Sequence, residues 1–544
     1  MTQADYVLVA EGAHDFTPGS DAGQRVLAVA GNQIVGTGHE LSDVSGLVGT
    51  STHVVDCPDL WLLPSFFDTH NHLLWTSRDI TRVDVSRATS IEGLLTAVRE
   101  EAARTPRGDW VVASRRWHES LLDEARLPTA AELDTVSRDH PIYLPRGGHV
   151  ATVNSRALEL AGIDSSTPDP QGGSILRDDS GAPNGHLIEF PATALVASLL
   201  PPASQAERTH NLRLACARYN ALGIGAVRDP GITPSELATY QALHQAGELS
   251  LRAGPMLLMD PASEVSTNIA LLDELRQECG TGDDMLRVDS VKIFADGGVE
   301  GGWLSDPYTS DPDYYGHPFY NPGDLFELVD HAVQSGWKVG CHAVGDRAVE
   351  MVVGTYERVI EKRGRLTRGT LVMEHAFFAD SAIRRRAVDA GIRVTVQPPL
   401  LYALAGNMVR HWGAERTGHV MPVAQWLADG AELAGGSDCN VAPLDPLLSI
   451  WGFVTRGTQA AGVQGPESAI DRETAFRLYT ADAARLIGQE HRRGGLGVGY
   501  LADLIGFTED PLTCDIDRMP ELRPALTIVD GKVRVDVQGL FEGN

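Results

Sequence analysis

From about residue 215 the chain settles into a repeat in which a short apolar strand is followed by an amphipathic helix. This repeat constrains the fold more than any other feature. NPGDLFELVDHAVQSG (321–336) puts Leu325, Leu328, Val329, Ala332 and Val333 on one helical face, between an Asn-Pro start and a glycine stop. WKVGCH (337–342) follows as a strand and a helix begins near Asp346. Next come GTLVMEH (369–375), a helix around DSAIRRRAVDAG (380–391), and RVTVQPP (393–399). Strands that alternate with helices pair in parallel, so the expected class is α/β, as a (β/α)8 barrel or a doubly wound sheet.

The ends of the chain differ from this middle. VLAVAGNQIVGTG (26–38) reads as a hairpin turning at Gly31-Asn32. Near the C-terminus LADLIGF (501–507) reads as a strand, and ALTIVDGKVRVD (525–536) as a hairpin around Asp530-Gly531. Two β-rich ends predict one small sheet domain composed of residues 1–62 and 490–544, with the barrel over 63–489. Residues 76 to about 215 interrupt the alternation with stretches such as GDWVVASRRWHESLLDEARLPT (108–129) and PQGGSILRDDSGAPNGH (170–186). They are expected to be an insertion after the first barrel strand, on a face where function gathers.

In strand after strand, one reactive side chain falls at or near the C-terminal end. His70 and His72 follow LWLLPSFFD, Lys292 sits in DSVKIFADGG, His342 ends WKVGCH, His375 ends GTLVMEH, and Asp438 follows AELAGGS. A parallel barrel opens all these ends on one face, so residues far apart in sequence converge. Any one of the 18 histidines is by default a surface or core residue, and His-x-His alone is a weak signal. The ordered set is much harder to obtain by chance and predicts a metal site. Lys292 carries the sharpest constraint, because a strand buried on both faces cannot hold a bare ammonium without large desolvation cost. It is open to three readings: an ion pair with Asp296 or Glu300, a stem whose amine snorkels to water, or a carbamate formed with CO2.

Composition excludes several classes. Of 544 residues, 43% are hydrophobic and 22% charged, an ordinary globular balance. A formal charge of −28, from 73 acidic against 45 basic residues, disfavours nucleic acid and anionic membrane as partners. The six cysteines are scattered without a CxxC pair and read as reduced thiols. With neither a long apolar run nor a basic, apolar leader in MTQADYVLVAEG, the expected location is the cytoplasm.

The ordered motifs resemble those of the amidohydrolase superfamily, in its amidohydrolase-3, YtcJ-like group, which includes N-substituted formamide deformylases. The landmarks are LPSFFDTHNH (63–72), LPRGGHVATVNSRALELAGI (144–163), LGIGAVRDPG (222–231), VKIFADGG (291–298), HAVGDRAVE (342–350), EHAFF (374–378), VQPP (396–399), GGSDCNVAPLDPL (435–447) and YTADAARLIG (479–488). The resemblance implies a TIM-like (β/α)8 barrel with a composite β-sandwich from both termini. It implies that His70, His72 and Asp438 hold one divalent metal, that His342 and His375 hold a second, and that N6-carboxylated Lys292 bridges them. Zinc suits such nitrogen and carboxylate donors, one or two ions per chain. The implied reaction is hydrolysis of a C–N bond in an amide, N-substituted formamide or cyclic amide by a metal-activated hydroxide, on a small-molecule substrate, in a possible homodimer.

The resemblance then implies that Asp438 carries the proton, with a helix N-cap as its ordinary alternative, and that His149 contacts the substrate or its oxyanion, with a structural role in the loop as the alternative. Arg146, Trp117 and Arg347 are candidate substrate contacts, while Trp75, Tyr402 and Trp412 are candidate pocket walls. Gln397 receives no role. The chain departs from the group where Gly147-Gly148-His149 replaces Asp-Gly-His, where Asp296-Gly297-Gly298 replaces Asp-Gly-Ser, and where Pro64-Ser65-Phe66 replaces Pro-Gly-Phe. Competing readings are a one-metal deaminase of a heterocycle, against which Lys292 speaks, and a catalytically silent scaffold.

Overall fold

The computed structural model describes residues 3–20 and 23–541. Eight parallel strands form its central sheet: β1 (Phe66–Asp68), β2 (Ile224–Ile232), β3 (Arg252–Leu258), β4 (Ser290–Phe294), β5 (Lys338–Ala343), β6 (Leu371–His375), β7 (Arg393–Val396) and β8 (Leu433–Gly435). They pair in chain order, and the Thr69 amide and hydroxyl both donate to the Gly435 carbonyl, at 3.2 and 2.8 Å, drawing the last strand to the first. The barrel expected from the repeat is therefore present. β2, β4 and β6 are buried along their whole length, as strands covered on both faces must be.

The connecting helices follow their sequence signals. Asn321 caps helix Pro322–Gln334 by accepting from Gly323 and Asp324 N–H, and Leu325, Leu328, Val329 and Ala332 are buried against the sheet while Val333 lies at its margin. The predicted N- and C-terminal hairpins form around Gly31-Asn32 and Asp530-Gly531. Both termini join one seven-stranded sheet, in which strand His53–Pro64 lies between Tyr6–Ala13 and Leu504–Phe507. The two hairpin turns meet where Asn32 Nδ2 donates to Asp530 Oδ1 at 2.9 Å, so this sheet rolls over its own core. Arg252 of β3 fastens it to the barrel with charge-assisted bonds to Asp503 at 2.7 and 2.9 Å.

Between β1 and β2 the chain builds a second sheet, of five strands, in the order Val111–Val112, Ile142–Arg146, Val150–Val153, Pro183–Ile188 and Ser174–Arg177. Helix Gln205–Asn220 then returns to pack on the barrel. The turn between Ile142–Arg146 and Val150–Val153 contains Gly147-Gly148-His149, and it hangs over the C-terminal mouth of the barrel. No helix among the described residues is long and apolar enough to cross a membrane.

Candidate metal centre

The strand ends bring His70, His72, Lys292, His342, His375 and Asp438 together at the barrel mouth, every one of them buried. One ligand atom each from His70, His72 and Asp438 lies within 4.8 Å of the other two. The His70 and His375 rings lie 4.6 Å apart between centroids with their planes tilted by 59°, and His375 and His342 meet edge-on at the same distance.

The hydrogen bonds reveal how the rings are aimed. His70 Nδ1 meets Glu374 Oε2 at 2.7 Å, His72 Nδ1 meets the Pro230 carbonyl at 2.9 Å, and His375 Nδ1 meets Gln397 Oε1 at 2.8 Å. Each outer nitrogen is thus occupied and each Nε2 is left for the centre, the pattern that orients metal-binding imidazoles. His342 is reversed, with Nε2 3.1 Å from the Gly297 carbonyl, so Nδ1 is its remaining nitrogen. Among the described residues no donor reaches the buried Asp438 Oδ1, although His72 Nε2 is only 3.0 Å away. Donor atoms that crowd together without bonding one another fit a divalent cation between them.

Burial lowers the basicity of His70 to a pKa of about 4, and burial with neighbouring positive groups takes His342 and His375 well below the ordinary value. These rings are therefore neutral, the form that binds metal. Burial opposes the charge of Asp438, but the His72 imidazole beside it more than offsets the penalty and holds the carboxyl below its ordinary range.

Lys292 is fully buried, and neither expected carboxylate pairs with it. Asp296 instead accepts from the Val344, Gly345 and Trp303 amides at 2.8–2.9 Å, and Glu300 pairs with Arg146 at 2.7 Å. The snorkelling alternative fails for the same reason, since no part of the side chain reaches water. Its amine lies 3.5 Å from His70 Nε2 and 4.7 Å from the centre of the Phe294 ring. Burial brings its pKa down to about 8, which makes the neutral amine accessible near neutral pH.

Several supporting groups carried no assigned role in the sequence. Glu374 is wholly buried and binds Arg228 at 2.9 Å, His70, and the Thr395 hydroxyl. Removing one partner from such a buried pair costs about 3–5 kcal/mol, so this network holds His70 rigidly. Asp68 accepts from Asn71 and Ser437, which turns Asn71 away from the centre. Glu189 lies 2.6 Å from His149 Nδ1. The available signal was a carboxylate inside or just after a buried apolar strand, as in VMEH and FFDTH.

The other predicted residues scatter. His149 lines a chamber of about 40 Å3 together with His342, His375 and Asp438. Arg146 forms part of its wall, fixed between Glu119 at 2.9 Å and Glu300 at 2.7 Å. Beyond this pair, on the other side of the same wall, is a cavity of about 550 Å3. Trp117 is buried in the core of the insertion, donating to the Pro145 carbonyl at 2.8 Å. Arg347 is exposed and stacks on Trp303, outside the chamber lining. Trp75 stacks on His72 at 4.1 Å, Trp412 packs against Phe378, and Tyr402 against Trp451. Asp438 is not a helix cap, because the following helix, Pro446–Thr455, is capped by Asp445.

Comparison with known proteins agrees with this fold. The chain is 27% identical to an N-substituted formamide deformylase of Arthrobacter pascens, over 99% of this chain and 100% of that one. It is 29% identical to YtcJ of Bacillus subtilis (strain 168), over 87% and 88% of the two chains. An uncharacterized metal-dependent hydrolase from Pyrococcus horikoshii OT3 superposes with a TM-score of 0.74 at 23% identity, over 94% of this chain and 99% of that one, a likeness of fold. The sequence profile of the amidohydrolase family matches residues 53–535, and the chain belongs to that family.

Proposed function

We propose that this chain hydrolyses the C–N bond of a small N-substituted formamide or related amide, at a centre held by His70, His72, Asp438, His342, His375 and Lys292. The observation that carries the reading is the aim of the donors: three imidazoles engaged at Nδ1, and a buried Asp438 Oδ1 with no donor of its own. The proposed metal is zinc, two ions per chain, which His70, His72, Asp438, His342, His375 and a carboxylated Lys292 would hold. When bound, the metal supplies a Lewis acid for the carbonyl oxygen and lowers the pKa of water.

The chain's own groups do the rest. Asp438 accepts a proton from the attacking water and returns it to the leaving nitrogen. His149 meets the carbonyl oxygen as negative charge grows there, a contact that matters more in the transition state than in the bound substrate. The products are an amine and a carboxylic acid.

The chamber's size supports a short acyl group. About 40 Å3 of space at the centre, in a chamber walled by Arg146 and Glu300, favours an acyl group as small as formyl. Steady-state rates on N-benzylformamide, N-benzylacetamide and N-benzylbutyramide test this. The formamide should give the highest kcat/KM, with about 10-fold or more lost for each step in acyl length. Equal rates across the series would refute the short-acyl reading. Ammonia released from an aminated heterocycle, with no amide turned over, would replace it with a deaminase.

A further inference from the structure

We propose that Glu189 is a positioning residue: its carboxylate fixes the His149 imidazole with Nδ1 turned to the insertion and Nε2 presented to the substrate. The inference rests on the hydrolytic reading above and adds a residue that neither the strand-end pattern nor the metal centre includes.

Glu189 follows the insertion strand Pro183–Ile188 and opens helix Glu189–Ala197. Its side chain is 3% exposed and its Oε2 lies 2.6 Å from His149 Nδ1. The backbone repeats the link, because the Glu189 N–H donates to the His149 carbonyl at 2.6 Å. An ionised carboxylate can only accept, so the hydrogen of the short side-chain contact belongs to Nδ1. Among the described residues His149 Nε2 has no hydrogen-bond partner, and the ring lines the chamber with His342, His375 and Asp438.

Two further observations show that the chain is shaped around this pair. Glu189 holds left-handed backbone at φ 65°, a strained conformation for a residue with a side chain, which persists where the surroundings impose it. Its second oxygen accepts from the Gly298 amide at 3.2 Å. The loop after β4 gives way to both side chains. A Cβ at Gly297 would lie 2.6 Å from Glu189 Oε1, one at Gly301 closer still, and one at Gly298 3.0 Å from the His149 ring. Gly298 is thus the residue against which His149 rests.

Fixing the ring in advance removes a reorganisation that would otherwise accompany the growth of charge on the carbonyl oxygen. Removing the carboxylate should therefore act on kcat, and only through His149.

The test has two arms on the metal-replete, full-length protein. The first is proton NMR of the wild type, Glu189→Gln and His149→Ala. The His70 Nδ1 contact with Glu374 is kept in all three proteins, so the expectation is one further strongly downfield imidazole N–H resonance in the wild type that is missing from both variants; identical downfield resonances in the wild type and the variants would overturn the pairing. The second arm uses whichever amide the wild type turns over best. Glu189→Gln should lower kcat about 10- to 100-fold, with KM and bound metal little changed. In a His149→Ala background the same substitution should cost less than about 2-fold more. Gly298→Ala, which crowds the ring and leaves the carboxylate untouched, should lower kcat as well, and it covers the case in which Glu189→Gln fails to fold. Additive losses, or a wild-type kcat in Glu189→Gln or Gly298→Ala, would overturn the proposal. A wild type that turns over no amide at all would instead defeat the hydrolytic reading, while the NMR arm still decides the pairing.

Discussion

Replacing Lys292 with alanine is expected to release one metal equivalent per chain and to lower the hydrolytic rate by more than about 100-fold. The expectation follows from burial. The amine sits on β4 with no exposed surface and no carboxylate paired to it, 3.5 Å from His70 Nε2. An unpaired ammonium there is a standing desolvation cost, and conversion to a carbamate replaces that cation with an anionic ligand between metal donors. Folding should survive the substitution, since it removes a buried polar group rather than an apolar one. Formate, acetate or propionate should restore part of the rate by supplying the missing carboxylate. Metal analysis and kinetics, with and without these acids, are the check; a variant with full metal and full rate would show that no carbamate bridge operates.

Asp438→Asn should lower kcat by about 10²- to 10⁴-fold while the barrel stays folded. Asparagine keeps the volume and one carbonyl oxygen but cannot accept and return a proton. The backbone at this position is left-handed, φ 56°, a conformation asparagine tolerates well, so the effect is chemical rather than conformational. Metal binding should weaken too, because an anionic donor next to His72 has become neutral. Steady-state kinetics at saturating zinc separate the two contributions. A kcat within a few-fold of the wild type under those conditions would remove Asp438 from the proton pathway.

The barrel, and the candidate residues that converge at its mouth, were legible because they obey a period. His342 and His375 each fall at or near the C-terminal end of a strand of the repeat, so counting strand ends finds them without any knowledge of their neighbours. Lys292 was legible for a different reason, its charge being incongruous inside SVKIF. The limits are equally physical. Glu189 reaches the mouth on an insertion whose hairpin register and turn no period announces. Glu374 stands beside His375 in the sequence, yet it serves His70, more than three hundred residues earlier, because neighbouring residues of a strand point to opposite faces. Trp117 illustrates the opposite error. An aromatic among arginines in a functional insertion resembles a substrate contact, but its burial and its bond to Pro145 make it core. Arg347 likewise shares a motif with His342, and a single helical turn places it on the surface.

The central claim is that the converging strand ends hold metal. It is tested most directly by elemental analysis of the protein purified after growth with zinc and without chelators. The account predicts two equivalents of zinc per chain, and at most one in His72→Ala, whose ring is held by Pro230 and stands 3.0 Å from Asp438. A wild-type chain that binds no divalent metal under these conditions would contradict it.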